Sequence, residues 1–265
     1  GHTTMLLGAA RRLAETRNFR GTVYFCFQPA EEGYAGAKAM LDDGMFERHR
    51  PRAVYGLHNW PGLPVGEMAV KPGPVMAAAD EFRITVTGLG GHAAEPQTTR
   101  DPLLAAAATV TALQQIVARR IDPRQPAVVS VTEFKAGFAH NVIPDAAHLR
   151  GTYRCYHDGV AAEIKAAIAE IAGATAAAHG VHAAVAHPAT PYPATINDAE
   201  EAAFCHGVMA ELVGPGRAHA DHPPSMAAED FAFMAREVPG AFAVIGNGDS
   251  QTLHSLHRLG MWAIV

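Results

Sequence analysis

Two adjacent acids open the chemical reading of this chain. Glu31-Glu32 stands in Gln28-Pro29-Ala30-Glu31-Glu32-Gly33, just past the β-branched and aromatic run Thr22–Phe27. Adjacent carboxylates in a tight turn after a proline point in different directions. One can then bind a metal while the other stays free to move a proton. Metal-assisted hydrolysis needs that division: cations polarise a carbonyl and acidify a water, and a nearby base carries the proton to the leaving nitrogen. His58 ends the next apolar run, Ala53–Leu57, and His254 lies in a loop soon after the last one, Ala241–Ile245. Each has a plainer reading. The acids also suit a solvated helix start, where negative charge meets the N-terminal dipole, and a single histidine after a strand is commonly structural. Their shared placement at the carboxyl ends of strands, where open α/β sheets collect ligands, favours a site.

Two further polar residues stand elsewhere. His92 lies in Gly90-Gly91-His92-Ala93-Ala94, where glycines let backbone approach a ligand and a histidine can donate a hydrogen bond. Asn141 lies in His140-Asn141-Val142-Ile143-Pro144, between two strands. Spacing alone reads both as turn residues.

The elements that must position these groups come in two styles. Residues 3–16 read as a helix, Thr22–Phe27 as a strand buried on both faces, residues 35–43 as a helix ending near Gly44, and Ala53–Leu57 as a second buried strand. Strand–helix–strand alternation predicts a mainly parallel sheet covered by helices. Lys71-Pro72-Gly73-Pro74 breaks this pattern. Glu81–Thr87 then alternates polar and apolar, as a strand with one wet face does. Ala-rich helices over about 101–119 and 159–178, with strands near 127–136, 147–155 and 181–187, complete a β-α-β-β-α-β order, the ferredoxin-like arrangement. After Pro188 the first style returns, with helices over 198–213 and 228–236 and the strand Ala241–Ile245. The expected class is therefore α/β. Residues 1–76 and 188–265 form a catalytic domain, interrupted by an inserted α+β domain over 77–187.

Composition limits the partners. The chain has 265 residues, 49% hydrophobic and 18% charged, with a net charge of −5 and no basic run, so nucleic acid is not an expected partner. No apolar stretch reaches membrane-spanning length. The three cysteines, Cys26, Cys155 and Cys205, are too few and scattered for a disulfide framework, and they point to a reducing cytoplasm. The fifteen histidines raise the expectation of metal or acid–base chemistry.

Seven segments occur in a telling order: Gln28–Gly33, Gly56–Asn59, Gly90–Pro96, Asn141–Pro144, Leu149–Arg154, Ala228–Phe231 and Leu253–Ser255. Together they resemble the M20 metallopeptidase family, in its amidohydrolase branch of hippurate hydrolases, aminoacylases and indoleacetyl-amino-acid hydrolases. The resemblance implies two divalent ions (zinc, manganese, cobalt or nickel) and an N-acyl-amino-acid substrate. It implies Glu31 as general base and Glu32, His58 and His254 as metal ligands. The inserted domain resembles the family's lid or dimerisation domain, which implies a homodimer. His92 would then stabilise the oxyanion in the second subunit's site, and Asn141 would bind substrate there. Glu229 and Asp230 match a segment near the pocket. A dipeptidase or carboxypeptidase of the same family, and a non-catalytic dimeric binder of acyl amino acids, are the alternatives.

Two departures stand against the branch's pattern. Gly1-His2 resembles the end of a Cys-Gly-His-Asp-Gly-His run whose Cys and first His would be ligands. His2 itself resembles the last histidine of the run, behind the metal. The chain therefore reads as N-terminally truncated, and its remaining ligands as too few to hold both ions, so that the chain alone is expected to be inactive. After Ser255 the sequence continues Leu256-His257-Arg258-Leu259-Gly260 in place of the branch's usual segment, which makes His257 a decoy for His254.

Overall fold

The computed structural model describes residues 1–248. The elements follow in chain order: α1 (His2–Thr16), α2 (Glu31–Tyr34), α3 (Gly36–Asp42), α4 (Met45–His49), β1 (Val54–Trp60), β2 (Met68–Ala69), β3 (Gly73–Met76), β4 (Ala78–Thr87), β5 (Gly91–His92) and α5 (Pro102–Leu113). They continue with β6 (Ala127–Ala136), β7 (Val142–Ile143), β8 (Ala146–Cys155), α6 (Asp158–Ala178), β9 (His182–Ala186), β10 (Thr195–Asn197), α7 (Ala199–Val213), β11 (Ala218–His219), α8 (Phe231–Glu237) and β12 (Gly240–Gly246). None of the described helices is long and apolar enough to cross a membrane.

The chain divides into two compact units, one from Gly1–Ala77 together with the chain from Tyr192 onward, the other from Ala78–Pro191. In the first unit the sheet order is β1-β12-β2-β11. β1 runs parallel to β12 and β2 parallel to β11, but β2 runs antiparallel to β12, so the sheet is mixed rather than mainly parallel. β12 is buried from Gly240 through Val244, the two-faced burial that an unbroken apolar run predicts. Phe231, Phe242 and Met76 form one core cluster, and Val70, Ala202, Met209, Ala241 and Ala243 another. Gly56 has a packing reason: a Cβ there would stand 2.6 Å from the Phe242 ring and 3.2 Å from that of Phe231.

One polar residue ties this core together. β2 covers β12 only at Val244 and Ile245. Farther along the same edge, the carboxamide of buried Asn197 takes the place of a neighbouring strand. Its Oδ1 accepts from the Phe242 N–H at 2.7 Å, and its Nδ2 donates to the carbonyls of Phe242 and Lys71, each at 2.9 Å. Next to it, Asp198 caps α7 by accepting from the Glu200 and Glu201 N–H groups.

The second unit has a four-stranded antiparallel sheet in the order β6-β8-β4-β9, with β4, α5, β6, β8, α6 and β9 following in β-α-β-β-α-β sequence. β4 alternates buried and wetter positions along its length, with Phe82, Ile84 and Val86 fully buried. Asp101 caps α5 through the Leu103 and Leu104 N–H groups. The buried carboxylate of Asp80 collects Lys165 Nζ at 2.9 Å, His187 Nδ1 at 3.0 Å and the Tyr153 hydroxyl at 3.1 Å. Asp80 and His187 lie close to the two ends of this unit in sequence.

Three further sequence expectations are corrected. Thr22–Phe27 forms no strand, and Val23, Tyr24 and Phe27 are 44%, 51% and 46% exposed. β propensity holds a strand only where a ladder completes its backbone hydrogen bonds, and among the described residues β1 pairs with β12 alone. The helix expected over 101–119 stops at Leu113 and continues as a single π turn, Ile116–Arg120. The helix expected over 228–236 begins only at Phe231, which frees the two acids before it.

Candidate active site

Glu31 opens α2, a four-residue helix broken at once by Glu32 (φ −69°, ψ 76°) and Gly33 (φ +83°). The residues flanking it, Ala30 (φ +56°) and Ala35 (φ +52°), are both left-handed. For residues carrying a Cβ that conformation costs on the order of 1–2 kcal/mol each, so tertiary bonds must hold the loop. Asp230 supplies two of them. Its Oδ1 accepts from Gln28 Nε2 at 2.5 Å and its Oδ2 from the Ala37 N–H at 2.9 Å, so one carboxylate grips the loop on both sides of Glu31. Tyr192 supplies two more: its hydroxyl donates to the Glu31 carbonyl at 2.5 Å and accepts from the Ala35 N–H at 2.9 Å. Gly36 lets the loop close, because a Cβ there would lie 1.7 Å from the Pro29 carbonyl oxygen.

This folding puts three acids together. Carboxylate oxygens of Glu31, Glu229 and Asp230 lie within 4.8 Å of one another. Glu229 and Asp230 are fully buried, and Glu229 Oε1 accepts from the Phe231 N–H at 3.3 Å. Burial, then the Asp230 and Glu32 charges, raises the pKa of Glu31. Burial, then the Glu31 and Asp230 charges, raises that of Glu229 well above the carboxylate range. Burial also raises Asp230, against the hydrogen bonds from Ala37 and Gln28. Like charges this close and dry do not all ionise without a compensating cation or retained protons.

The imidazoles lie on β1 and at the start of α1. His58 sits near the carboxyl end of β1, is 2% exposed, and places Nδ1 2.5 Å from the Asn59 carbonyl oxygen. His2 Nε2 accepts from the Asn59 N–H at 2.9 Å, and the two rings are 5.2 Å apart between centroids. Burial, then His58, pulls the His2 pKa down to about 4, so the ring is neutral and suited to accept. Burial likewise lowers His58, leaving it in the neutral form that ligates metals.

The residues present suit a divalent cation. Glu229 Oε2 is buried without a hydrogen-bond partner, as are His2 Nδ1 and both side-chain polar atoms of Asn59. The clustered carboxylates, one of them with an orphaned oxygen, form an oxygen donor set for a divalent ion, and the neutral imidazoles of the same unit are nitrogen donors. Glu32 is exposed, and neither it nor His58 belongs to the three-acid cluster. His254 and His257 lie outside the described residues.

In the second unit His92 and Asn141 come together. β5 and β7 pair with His92 opposite Val142, and the Ala93 N–H donates to the Asn141 carbonyl at 3.0 Å. Both side chains are exposed. His92 Nδ1 accepts from the Ala94 N–H at 3.1 Å, which places its proton on Nε2 and turns a donor outward.

Sequence reasoning overlooked two residues that hold the acid loop. Gln28 was visible inside the motif but carried no role. Tyr192 lay in a proline-rich stretch read only as a boundary. No sequence periodicity connects it to a loop about 160 residues earlier.

A mixed α/β unit that buries an acid cluster and two neutral histidines is a candidate metal-site protein, and the chain belongs to Peptidase family M20/M25/M40, whose model matches residues 1–259. It is 38% identical over 255 residues to the hippurate hydrolase of Campylobacter jejuni, covering 96% of this chain and 66% of that protein. It is also 38% identical over 255 residues to an N-acetylcysteine deacetylase of Bacillus subtilis, covering 96% of this chain and 65% of that protein. Among solved structures it resembles the Bacillus subtilis YXEP protein, a dinuclear metal binding peptidase of the M20 family. There the TM-score is 0.76 and the identity 33%, over 92% of this chain and 62% of that one. The chain thus spans about two thirds or less of the length of these proteins.

Proposed function

We propose that this chain forms part of a metal-dependent amidohydrolase that cleaves N-acyl amino acids into a carboxylic acid and a free amino acid. One observation carries the reading: Glu31 of the family motif stands in a buried cluster with Glu229 and Asp230, held there by four hydrogen bonds to its loop. The hydrolase and deacetylase relatives supply the substrate class. Glu32, His58 and His254 would contribute part of the ligand set of two divalent ions, zinc, manganese, cobalt or nickel; mixed carboxylate and imidazole donors suit all four. When bound, the ions polarise the scissile carbonyl and acidify water.

The chain's own groups do the rest. Glu31 accepts a proton from water and passes it to the leaving amine, a task suited to a carboxyl whose surroundings favour its protonated form. Asp230 keeps that carboxyl aimed by gripping Gln28 and Ala37. His92 donates from Nε2 to the developing oxyanion, and the neighbouring Asn141 orients substrate. The second unit serves as lid and dimerisation surface of a homodimer, so that His92 acts in the partner's site. Three free thiols fit a reducing cytoplasm.

Turnover of benzoylglycine and N-acetyl amino acids, compared with free dipeptides, tests the substrate class. The proposal expects the acylated compounds to be preferred, and a preference for dipeptides would replace it with a peptidase. Glu31→Gln should abolish turnover and leave metal content largely intact; unchanged turnover would remove Glu31 from its role.

A further inference from the structure

We infer that Tyr192 is the positioning residue of the acid loop, acting on catalysis through the backbone of Glu31. The inference rests on the amidohydrolase reading for its effect on rate, but its geometry stands apart from it. A single hydroxyl spans the loop, donating to the Glu31 carbonyl at 2.5 Å and accepting from the Ala35 N–H at 2.9 Å. Those two backbone groups bracket the break at Glu32 and Gly33. Ala35 is itself left-handed, so its N–H has been turned out of any helical ladder and toward the phenol. Without the hydroxyl, a buried N–H and a carbonyl lose their partners in a stretch whose backbone already resists its conformation.

The other end of the device is rigid. Tyr192 is buried at 8% exposure, and its ring meets Phe233 edge-on with centroids 5.9 Å apart. Pro191 and Pro193 flank it, each fixing its own φ and restricting the residue before it. Tyr192 is also the first residue of the returning segment of its unit. The start of that returning segment is therefore bonded directly to the peptide that carries the proposed catalytic acid. Asp230 fixes the outer ends of the loop, at Gln28 and Ala37, while Tyr192 fixes its middle.

Tyr192→Phe tests this in the purified, metal-loaded full-length protein, since it removes one oxygen and keeps the ring against Phe233. Four quantities are read: kcat and KM for benzoylglycine, amide hydrogen exchange over residues 31–37, and Tm. The expected result is a fall in kcat of tenfold or more with KM within about twofold. Faster exchange confined to residues 31–37 should accompany it, with a Tm shift too small to change the folded fraction at assay temperature. Unchanged kcat with unchanged exchange overturns the inference, and so does a kcat loss that only follows a lost folded fraction. If the unmutated full-length protein turns over no acyl amino acid, the amidohydrolase reading fails. Exchange then decides the positioning claim alone: faster exchange at residues 31–37 sustains it, and unchanged exchange ends it.

Discussion

Replacing Asn197 by alanine should be among the more damaging single changes in the first unit. The side chain makes three hydrogen bonds to backbone: to the Phe242 N–H, to the Phe242 carbonyl and to the Lys71 carbonyl. Phe242 is 2% exposed, so its N–H finds no water once the carboxamide is gone. An orphaned buried donor costs about 1–3 kcal/mol, and the Phe242 carbonyl adds about 1 kcal/mol. The Lys71 carbonyl belongs to a half-buried residue and rehydrates at little cost. The total is about 3 kcal/mol, which in a unit of this size lowers Tm by roughly 6–12 °C. Asn197→Asp sharpens the test, because the shapes match. A carboxylate can accept from the Phe242 N–H, but it faces two carbonyl oxygens it cannot donate to. It should be worse than alanine at neutral pH and recover as acid supplies the missing proton, since burial and the carbonyls favour the neutral form. Thermal melts of both variants between pH 5 and 8, as working limits, decide the matter. An alanine variant within about 2 °C of the parent, or an aspartate variant with no recovery in acid, would show that Asn197 does not complete the β12 edge.

Further outcomes follow from the same geometry. Gly56→Ala should lose about 1–3 kcal/mol by overpacking against Phe242, and adding Phe242→Leu should recover part of it in urea titrations. Asp101→Ala should lose about 1 kcal/mol as the Leu103 and Leu104 N–H groups go uncapped, with Asp101→Asn close to the parent in the same titration. Phe82→Ala should cost about 3–5 kcal/mol from the second unit's core, read as a lower denaturation midpoint. Removing divalent ions with a chelator should abolish amide hydrolysis, and adding back single metals should show which ion restores it. Activity that survives exhaustive chelation would contradict the metal site.

What the sequence revealed, it revealed through local pattern. Glu81–Thr87 alternates because one face of β4 packs on helices, and that face holds Phe82, Ile84 and Val86. Ala241–Ile245 reads as buried because β12 is covered on both faces. The misreadings arise where local pattern is silent. Thr22–Phe27 carries strand residues, yet a strand is a relation between two segments and this one has no ladder. Glu229 and Asp230 looked like the first turn of a helix because residues 228–236 have helical composition, but α8 starts after them and their carboxylates meet Glu31. The motif singled out Glu31 and Glu32 but not their different surroundings, one in the buried cluster and the other exposed. That difference depends on the left-handed turns at Ala30 and Ala35, which no propensity for alanine suggests.

The Asp80–His187 contact has a consequence for how the chain assembles. β1 and β12 are neighbours in the sheet although roughly 180 residues separate Trp60 from Gly240, and closing so long a loop slows folding. The second unit is contiguous, and its strands pair over shorter spans. Once it has formed, the 3.0 Å contact of Asp80 with His187 brings its two ends side by side. The remaining search then runs over roughly 70 residues instead of 180, a saving of about 1 kcal/mol in closure entropy. The insertion therefore acts as a staple for the sheet it interrupts, and β1 should find β12 several-fold faster once the insertion has folded.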